Sequence, residues 1–269
     1  MEKKQRIDVL LVEKGLIDTR EKAKRCIMAG LVYVDGDRVD KPGTKVNTDS
    51  ELFLKGQAIP YVSRGGLKLE KAISEFNLDL DDKIVLDIGA STGGFTDCAL
   101  QSGANLVYAL DVGYNQLAWK LRQHERVIVM ERTNFRHVKP EVFDKGMPDF
   151  ATIDVSFISL KLILPVLKTI LKPGGEVSAL VKPQFEAGRG EVGKKGIVRD
   201  PRIHEKVLNT IVEFSEKEGY TVENIVASPI RGGEGNIEFL LHLKLNETME
   251  ENKPVKDNIH NIVGKAHEE

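Results

Sequence analysis

The feature that most constrains this chain is a short apolar segment that leads directly into a glycine-rich turn. Residues 84–88 are predicted to form a strand, Gly89 and Gly93 bracket the turn, and a helical pattern begins at Gly94. In a doubly wound α/β sheet such a turn lets the backbone approach a nucleotide-like ligand, because glycine has no side chain and the helix N-terminus offers unpaired N–H groups. We therefore expect a ligand site at the carboxyl end of this strand.

The spacing of the glycines narrows the choice of ligand. A dinucleotide site has the pattern Gly-x-Gly-x-x-Gly, whereas this chain has Gly89-x-x-x-Gly93 with Asp87 two residues before the first glycine. A carboxylate there suits a ligand with a cationic amino-acid end better than a pyrophosphate. The pattern favours S-adenosylmethionine and disfavours a nicotinamide-dependent dehydrogenase. Asp111, at the end of the next strand, is placed to hold ribose hydroxyls, although both kinds of ligand use such an acid.

The chain after residue 61 alternates between strand and helix patterns. An α/β fold with a parallel-dominated, doubly wound sheet follows from this alternation. The last two strands have no helix between them, so one of them is expected to be antiparallel. The tail, 247–269, is polar with a weak apolar stripe that includes Val255 and Ile259, and is expected to be either a terminal helix or disordered. The predicted strands are 84–88, 106–110, 127–130, 150–153, 176–181, 220–228 and 236–245, and the helices are 67–76, 94–101, 116–121, 159–171 and 201–218.

The first 60 residues predict a separate small α+β domain, followed by a linker at about 55–63. A helix is expected over 6–16, and a second helix is expected to open with a capping box formed by Asp18 and Glu21. Its apolar face would contain Met28. Asp35-Gly36 predicts a tight hairpin, and one further strand region is expected over 46–54.

Composition excludes several classes of protein. The chain has 269 residues, a formal net charge of −2 and two cysteines, so a disulfide framework is excluded and a cytoplasmic protein is expected. No apolar run reaches the roughly 18 residues of a membrane span, and we expect no signal peptide. His and Cys are not clustered at metal-ligand spacing, so no metal is expected. We expect a monomer whose affinity for nucleic acid comes from local basic patches.

Several segments carry a family resemblance: Asp87-Ile-Gly-Ala-Ser-Thr-Gly-Gly-Phe-Thr96, Ile153-Asp-Val-Ser-Phe157, Val181-Lys-Pro-Gln-Phe185 and Gly235-Asn-Ile-Glu238. Together they resemble the hemolysin A-type (TlyA) family. Residues 6–36 resemble an S4 RNA-binding domain, and the resemblance extends to about residue 245. It implies a class I (Rossmann-like), FtsJ-like methyltransferase with a seven-stranded sheet over 61–246, an S4-like domain over 1–60, and methylation of ribosomal RNA at ribose 2′-hydroxyls.

The resemblance also implies a catalytic tetrad of Lys68, Asp154, Lys182 and Glu238. A ribose hydroxyl is a poor nucleophile until its proton leaves, and a lysine accepts a proton only when it is neutral. Lowering a lysine pKa from roughly 10.4 to about 7 requires roughly 4 kcal/mol, which burial and a second lysine would favour. We expect Lys182 to be the general base and Lys68 to orient the hydroxyl. The two carboxylates would oppose this by favouring charged lysines, so the assignment of the base stays open.

Two features of the sequence have more than one interpretation. The loop 188–196 is interpreted as a lid, an RNA-contacting loop or an ordinary surface loop, and Tyr33 is interpreted as a stacking residue or a hairpin aromatic. Two alternative functions stay open, a membrane-active hemolysin and a non-catalytic RNA-binding or ribosome assembly factor.

The expected binding residues fall into two groups. The expected cofactor residues are Asp87, Gly89, Ala90, Ser91, Thr92, Gly93, Gly94, Phe95, Asp111, Asn134 and Asp154, and the expected RNA-binding residues are Arg6, Arg20, Lys24, Arg25 and Arg64.

Overall fold

The structure is a computed structural model that describes residues 4–54, 60–246 and 258–268. The chain divides into two compact units, residues 1–64 and 65–269, and each is described by itself. Most of the expected linker and the beginning of the expected tail, including Val255, lie outside the described residues.

The first unit is a small α+β domain with a core of its own. Ile7, Leu11 and Ile27 are fully buried at its centre, because both helices turn apolar faces toward the short strands. Strands β1 and β4 form an antiparallel pair, and β2 pairs with both β3 and β5. Its elements are β1 (Lys4–Arg6), α1 (Ile7–Glu13), α2 (Arg20–Met28), β2 (Val32–Val34), β3 (Asp37–Val39), β4 (Lys45–Asn47) and β5 (Leu52–Leu54).

Four predictions in this unit were wrong in detail. The first helix spans Ile7–Glu13 instead of 6–16, because Arg6 belongs to β1 and the chain turns after Glu13. The N-cap of α2 is Thr19, whose hydroxyl accepts from the backbone N–H of Lys22 at 3.3 Å, while Asp18 pairs instead with the ammonium of Lys22. Met28 is 58% exposed, and Cys26 occupies the buried position on that face. The region 46–54 contains parts of two strands in different sheets, because the turn before Leu52 redirects the chain. The hairpin at Asp35-Gly36 is confirmed.

The second unit is built on a seven-stranded sheet in the order β11-β12-β10-β9-β6-β7-β8. Strand β12 runs antiparallel to both of its neighbours, and the other six strands are parallel to one another. The elements are α3 (Gly66–Phe76), β6 (Ile84–Ile88), α4 (Gly94–Gln101), β7 (Leu106–Leu110), α5 (Trp119–Arg122), β8 (Val127–Met130), β9 (Phe150–Ile153), α6 (Leu164–Leu167), β10 (Glu176–Val181), α7 (Pro183–Glu186), α8 (Pro201–Lys217), β11 (Tyr220–Ala227), β12 (Phe239–Leu245) and α9 (Ile259–Glu268).

Strands β6 to β10 match the predicted bounds residue for residue, and the antiparallel strand is confirmed as β12. The helix predicted over 159–171 was wrong. A 3-10 turn over Leu160–Leu162 is followed by the short helix α6. Pro165 explains the break, because it has no N–H to donate to the preceding turn and is tolerated only in the first turn of a new helix. Of the two alternatives left open for the tail, the structure has a terminal helix over Ile259–Glu268, which packs against α8 and β11.

Candidate functional site

A cavity of about 530 Å³ lies at the carboxyl ends of the central strands β6, β7 and β9. This is the edge at which ligands bind in open α/β sheets. Five of the expected cofactor residues line the cavity, and they come from four separate loops. They are Gly89, Ser91, Asp111, Asn134 and Asp154.

The glycine-rich turn has two positions at which a side chain would not fit. Gly89 has a φ of +88°, and a Cβ there would lie 2.5 Å from the backbone oxygen of Asp154. Gly93 has a φ of +95°, and its Cβ would overlap the side chains of Leu117 and Leu121. Both the left-handed backbone and the close packing therefore require glycine. The other expected residues of this segment shape the turn and the start of α4 and are absent from the described cavity lining: Ala90, Thr92, Gly94 and Phe95.

Asp87 lies under this turn with its side chain enclosed by protein. It is 1% exposed, and its two oxygens accept hydrogen bonds from the hydroxyls of Thr96 at 2.6 Å and Thr152 at 3.0 Å. Burial raises the pKa of Asp87 to about 6, against the opposing effect of the two hydroxyls. The carboxyl group ties β6 to α4 and β9, and Asp87 is absent from the described cavity lining.

Asp111 connects the glycine turn to the loop after β7. One carboxylate oxygen accepts from the backbone N–H of Ser91 at 2.8 Å, and the other accepts from that of Gly113 at 2.7 Å. Asn134, in the loop after β8, is exposed, and its side-chain oxygen accepts from the backbone N–H of Arg136. Asp111 and Asn134 both line the cavity.

The four residues of the expected tetrad meet beside this cavity. Asp154, which also lines the cavity, lies between two lysines: one oxygen is 2.5 Å from Nζ of Lys182 and the other is 3.4 Å from Nζ of Lys68. Lys68 extends from α3 to Glu238 at 2.8 Å. The three cited ion pairs therefore join two positive and two negative side chains into one continuous network.

Burial and secondary contacts hold this network in one arrangement. Glu238 is 3% exposed and accepts from the amide of Gln184 at 3.2 Å, while Lys182 donates to the hydroxyl of Ser156 at 3.0 Å. Burial alone would raise the pKa of Asp154, but the neighbouring Lys68 and Lys182 outweigh it and lower that pKa. Asp154 is therefore a carboxylate near neutral pH. Glu238 was predicted to lie within a strand, but β12 begins one residue later, at Phe239.

Phe157 was not singled out by the sequence analysis. Its ring is 91% exposed, its φ is +63°, and its centroid lies 4.9 Å from that of Phe185. A left-handed backbone at a bulky residue is costly and commonly marks a functional segment. The signal available in the sequence was its position three residues after Asp154, on the same strand-end loop.

The expected RNA-binding residues in the first unit differ in how they are held. Arg6 and Arg20 both pair with the buried Asp8 at 2.9 Å, yet their side chains remain 47% and 53% exposed. The hydrogen bond from Arg6, together with the contact from Arg20, lowers the pKa of Asp8 to about 2 against the effect of burial. Lys24 pairs with Glu21. Of the remaining two, Arg25 donates to the backbone oxygen of Tyr61 and Arg64 is exposed.

Comparison with protein families supplies the identity of both units. Residues 61–245 match the FtsJ-like methyltransferase family and residues 5–52 match the S4 domain. The chain belongs to the FtsJ-like methyltransferase family. It is therefore an enzyme of the methyltransferase class, and its fold implies dependence on S-adenosylmethionine. The described residues fit that cofactor, because the glycine turn leaves no side chain in the way and Asp111 faces the cavity from the next strand.

Three relatives illustrate the similarity. YqxC of Bacillus subtilis, named as an rRNA methyltransferase, is 64% identical over 98% of this chain and 95% of its own. The 16S/23S rRNA (cytidine-2′-O)-methyltransferase TlyA of Mycobacterium tuberculosis is 40% identical over 91% of each chain. A solved structure from Streptococcus thermophilus, described under the name hemolysin, is 56% identical, covers 100% of this chain and 97% of its own, and has a TM-score of 0.80. Across the described residues, the helices are too short or too polar to cross a bilayer.

Proposed function

We propose that this enzyme transfers a methyl group from S-adenosylmethionine to a ribose 2′-hydroxyl of ribosomal RNA. The observation that carries the proposal is the position of Asp154, which belongs both to the cavity lining and to the network with Lys68, Lys182 and Glu238. A cofactor in the cavity and a hydroxyl at the lysines would therefore be neighbours. The 2′-O-methyltransferase names of relatives such as TlyA point to the same reaction.

The cofactor would be held by residues of the cavity wall. Gly89 and Ser91 would contact it from the turn, Asp111 would accept from its ribose hydroxyls, and Asn134 would face its adenine. When bound, S-adenosylmethionine supplies a methyl group already activated by the sulfonium. The protein's main contributions are then to position the acceptor and to remove its proton.

Lys182 is the residue we assign to proton removal, a role that requires its amine to have lost its own proton before the hydroxyl reacts. Its amine contacts Asp154 and Ser156, which both line the cavity, and general bases typically contribute 10²–10⁴-fold to such reactions. Lys68 orients the hydroxyl, while Asp154 and Glu238 fix the positions of the two lysines. The exposed ring of Phe157 offers a surface on which the base of the acceptor nucleotide stacks.

The first 60 residues, together with Arg64, would select the RNA. Arg6, Arg20, Lys24, Arg25 and Arg64 supply cationic groups for phosphate oxygens, which fix register and orientation on an RNA rather than its sequence. In this division of labour the S4 domain binds the substrate and residues 61–246 carry out the chemistry. We propose that the enzyme acts as a monomer.

A methyl-transfer assay tests the proposal directly. Purified enzyme is incubated with tritium-labelled S-adenosylmethionine and ribosomal subunits from cells lacking the enzyme, and the modified nucleotide is mapped. We expect label in one or a few ribose 2′-oxygens. Label on a base nitrogen would contradict the assigned chemistry, and RNA binding without label would favour the non-catalytic alternative.

A further inference from the structure

The carboxylate of Glu131, which directly follows β8, accepts several hydrogen bonds from the backbone of one loop. Glu131 belongs neither to the tetrad nor to the expected cofactor residues. We propose that Glu131 is a positioning residue for the cofactor pocket, where it holds the loop 113–118 in the shape that completes the cavity wall. The inference rests on the proposed S-adenosylmethionine site and deepens it.

The contacts of Glu131 are concentrated on consecutive backbone amides. One oxygen accepts from the N–H of Asn115 at 2.9 Å, and the other accepts from those of Gln116 at 3.1 Å and Leu117 at 3.4 Å. Arg122 of α5 donates to the same carboxylate at 2.6 Å. The side chain of Glu131 is only 9% exposed, so these donors take the place of solvent.

The loop held in this way touches the glycine-rich turn at three points. Gln116 lines the cavity and accepts from the hydroxyl of Ser91 at 3.3 Å. The side chain of Leu117 packs against Gly93, and Ala118 donates its N–H to the backbone oxygen of Thr92 at 3.1 Å. Displacement of the loop would therefore alter both the cavity wall and the turn that supports the cofactor.

The sequence pattern indicates which alternative arrangement Glu131 prevents. A helix was predicted to begin at Gln116, whereas α5 begins at Trp119. Asn115 has a φ of +56°, in the left-handed region that interrupts a helix and that Asn adopts more readily than most other residues. The Glu131 carboxylate accepts from three backbone amides and so stabilises the loop in its non-helical form. If these residues instead formed the first turn of α5, Gln116 would move away from Ser91. Because the hydrogen bond from Arg122 outweighs burial and lowers the pKa of Glu131 to about 2, the carboxylate keeps its charge near neutral pH.

The test is the E131Q variant, in which an amide group replaces one acceptor oxygen. Glu125 is exposed in the segment before β8, so E125Q serves as the matched control. Calorimetry with S-adenosylmethionine and S-adenosylhomocysteine gives Kd, and the methyl-transfer assay gives KM and kcat. We expect E131Q to raise Kd and the KM for the methyl donor about tenfold, with kcat at saturation within about twofold of wild type. E125Q should match wild type.

A second variant, R122Q, leaves the carboxylate in place and removes only one donor, so we expect a rise in Kd of about two- to threefold. A lower melting temperature for E131Q with an unchanged Kd would overturn the inference, as would a loss confined to kcat. If E131Q does not fold, an R122Q Kd equal to that of wild type overturns it instead. Failure of wild type itself to bind S-adenosylmethionine would refute the proposed function rather than the role of Glu131.

Discussion

The two units each place one carboxylate between two cations, and the comparison shows how burial changes what such a cluster does. In the S4 domain Asp8 lies between Arg6 and Arg20, whose side chains are about half exposed. In the methyltransferase unit Asp154 lies between Lys68 and Lys182, whose side chains are 9% and 10% exposed. The first cluster presents charge to solvent, and the second encloses charge beside a cavity.

The choice of cation matches the difference in exposure. A guanidinium stays protonated at all working pH values and offers several N–H donors for phosphate oxygens. A lysine amine can lose its proton when its surroundings favour the neutral form. We therefore expect the exposed arginines to control affinity for RNA in a salt-dependent manner and the enclosed lysines to control the rate of the chemical step.

The largest expected effect comes from removing the assigned base. K182A should lower the single-turnover rate of methyl transfer by about 10³-fold, since general-base catalysis typically contributes 10²–10⁴-fold, while the Kd for RNA stays within about twofold. K139A, at an exposed position of the same unit, is the matched control and should keep the wild-type rate. Full turnover by K182A would show that Lys182 is not the base and that the enclosed cluster does not control the chemical step.

Neutralising Glu238 should give the next largest effect. E238Q removes a negative partner 2.8 Å from Lys68, so Lys68 is held less firmly beside the acceptor hydroxyl. We expect the single-turnover rate to fall about 10- to 100-fold, with the Kd for S-adenosylmethionine little changed. A rate equal to wild type would show that the enclosed cluster does not depend on all four of its charges.

The exposed cluster is tested by the double variant R6A/R20A. We expect the Kd for RNA to rise about tenfold at low salt, and the slope of log Kd against log salt to become shallower by about 0.7 for each phosphate that the variant no longer neutralises. The rate at saturating RNA should stay unchanged. K45A, at an exposed position in β4, provides a control in the same unit. A fall in the saturated rate would contradict the division of labour.

The last prediction concerns the stability of the fold and an enclosed group outside both clusters. His204 is fully buried beside His267, 2.8 Å away, and burial together with His267 lowers its pKa to about 4. The unfolded chain then binds a proton below about pH 6.5 that the folded chain binds only near pH 4, so folding stability falls as pH falls through this window. At pH 5 the loss is about 2 kcal/mol.

Calorimetric melting at pH 7 and pH 5 measures this loss. The variant H204F keeps an aromatic ring beside Phe239 and lacks the titrating group, so its melting temperature should decrease less than that of wild type between the two pH values. Equal decreases would show that His204 does not carry this part of the pH dependence.

Short-range patterns were sufficient for strands β6 to β10, whereas the tetrad positions came from the family resemblance. The apolar runs of β6 to β10 are bounded by polar residues and glycines, so their ends were visible in the sequence. Helix bounds were less accurate where one residue or one distant contact decided the outcome, as with Pro165 in the predicted helix 159–171 and Glu131 at the start of α5. Neither effect changes hydrophobic periodicity.

Residues that act through long-range contacts were missed because such contacts also leave hydrophobic periodicity unchanged. Asp8 lies 12 positions from Arg20 in the chain, and Glu131 lies 9 from Arg122, so neither pairing follows from helix or strand spacing. Phe157 has an unusual backbone angle that no composition rule indicates. The segment after Asp154 was recognisable from the family resemblance and as a loop at a strand end, where functional residues concentrate.

The reversed direction of β12 has a consequence for the order in which the enzyme is made. An antiparallel strand brings its beginning, not its end, to the edge where its parallel neighbours end, and Glu238 lies just before that beginning. The glycine turn, Asp154 and Lys182 all leave the ribosome earlier than Glu238. A nascent chain therefore contains the segments proposed to bind the cofactor before Glu238 emerges to complete the proposed catalytic network.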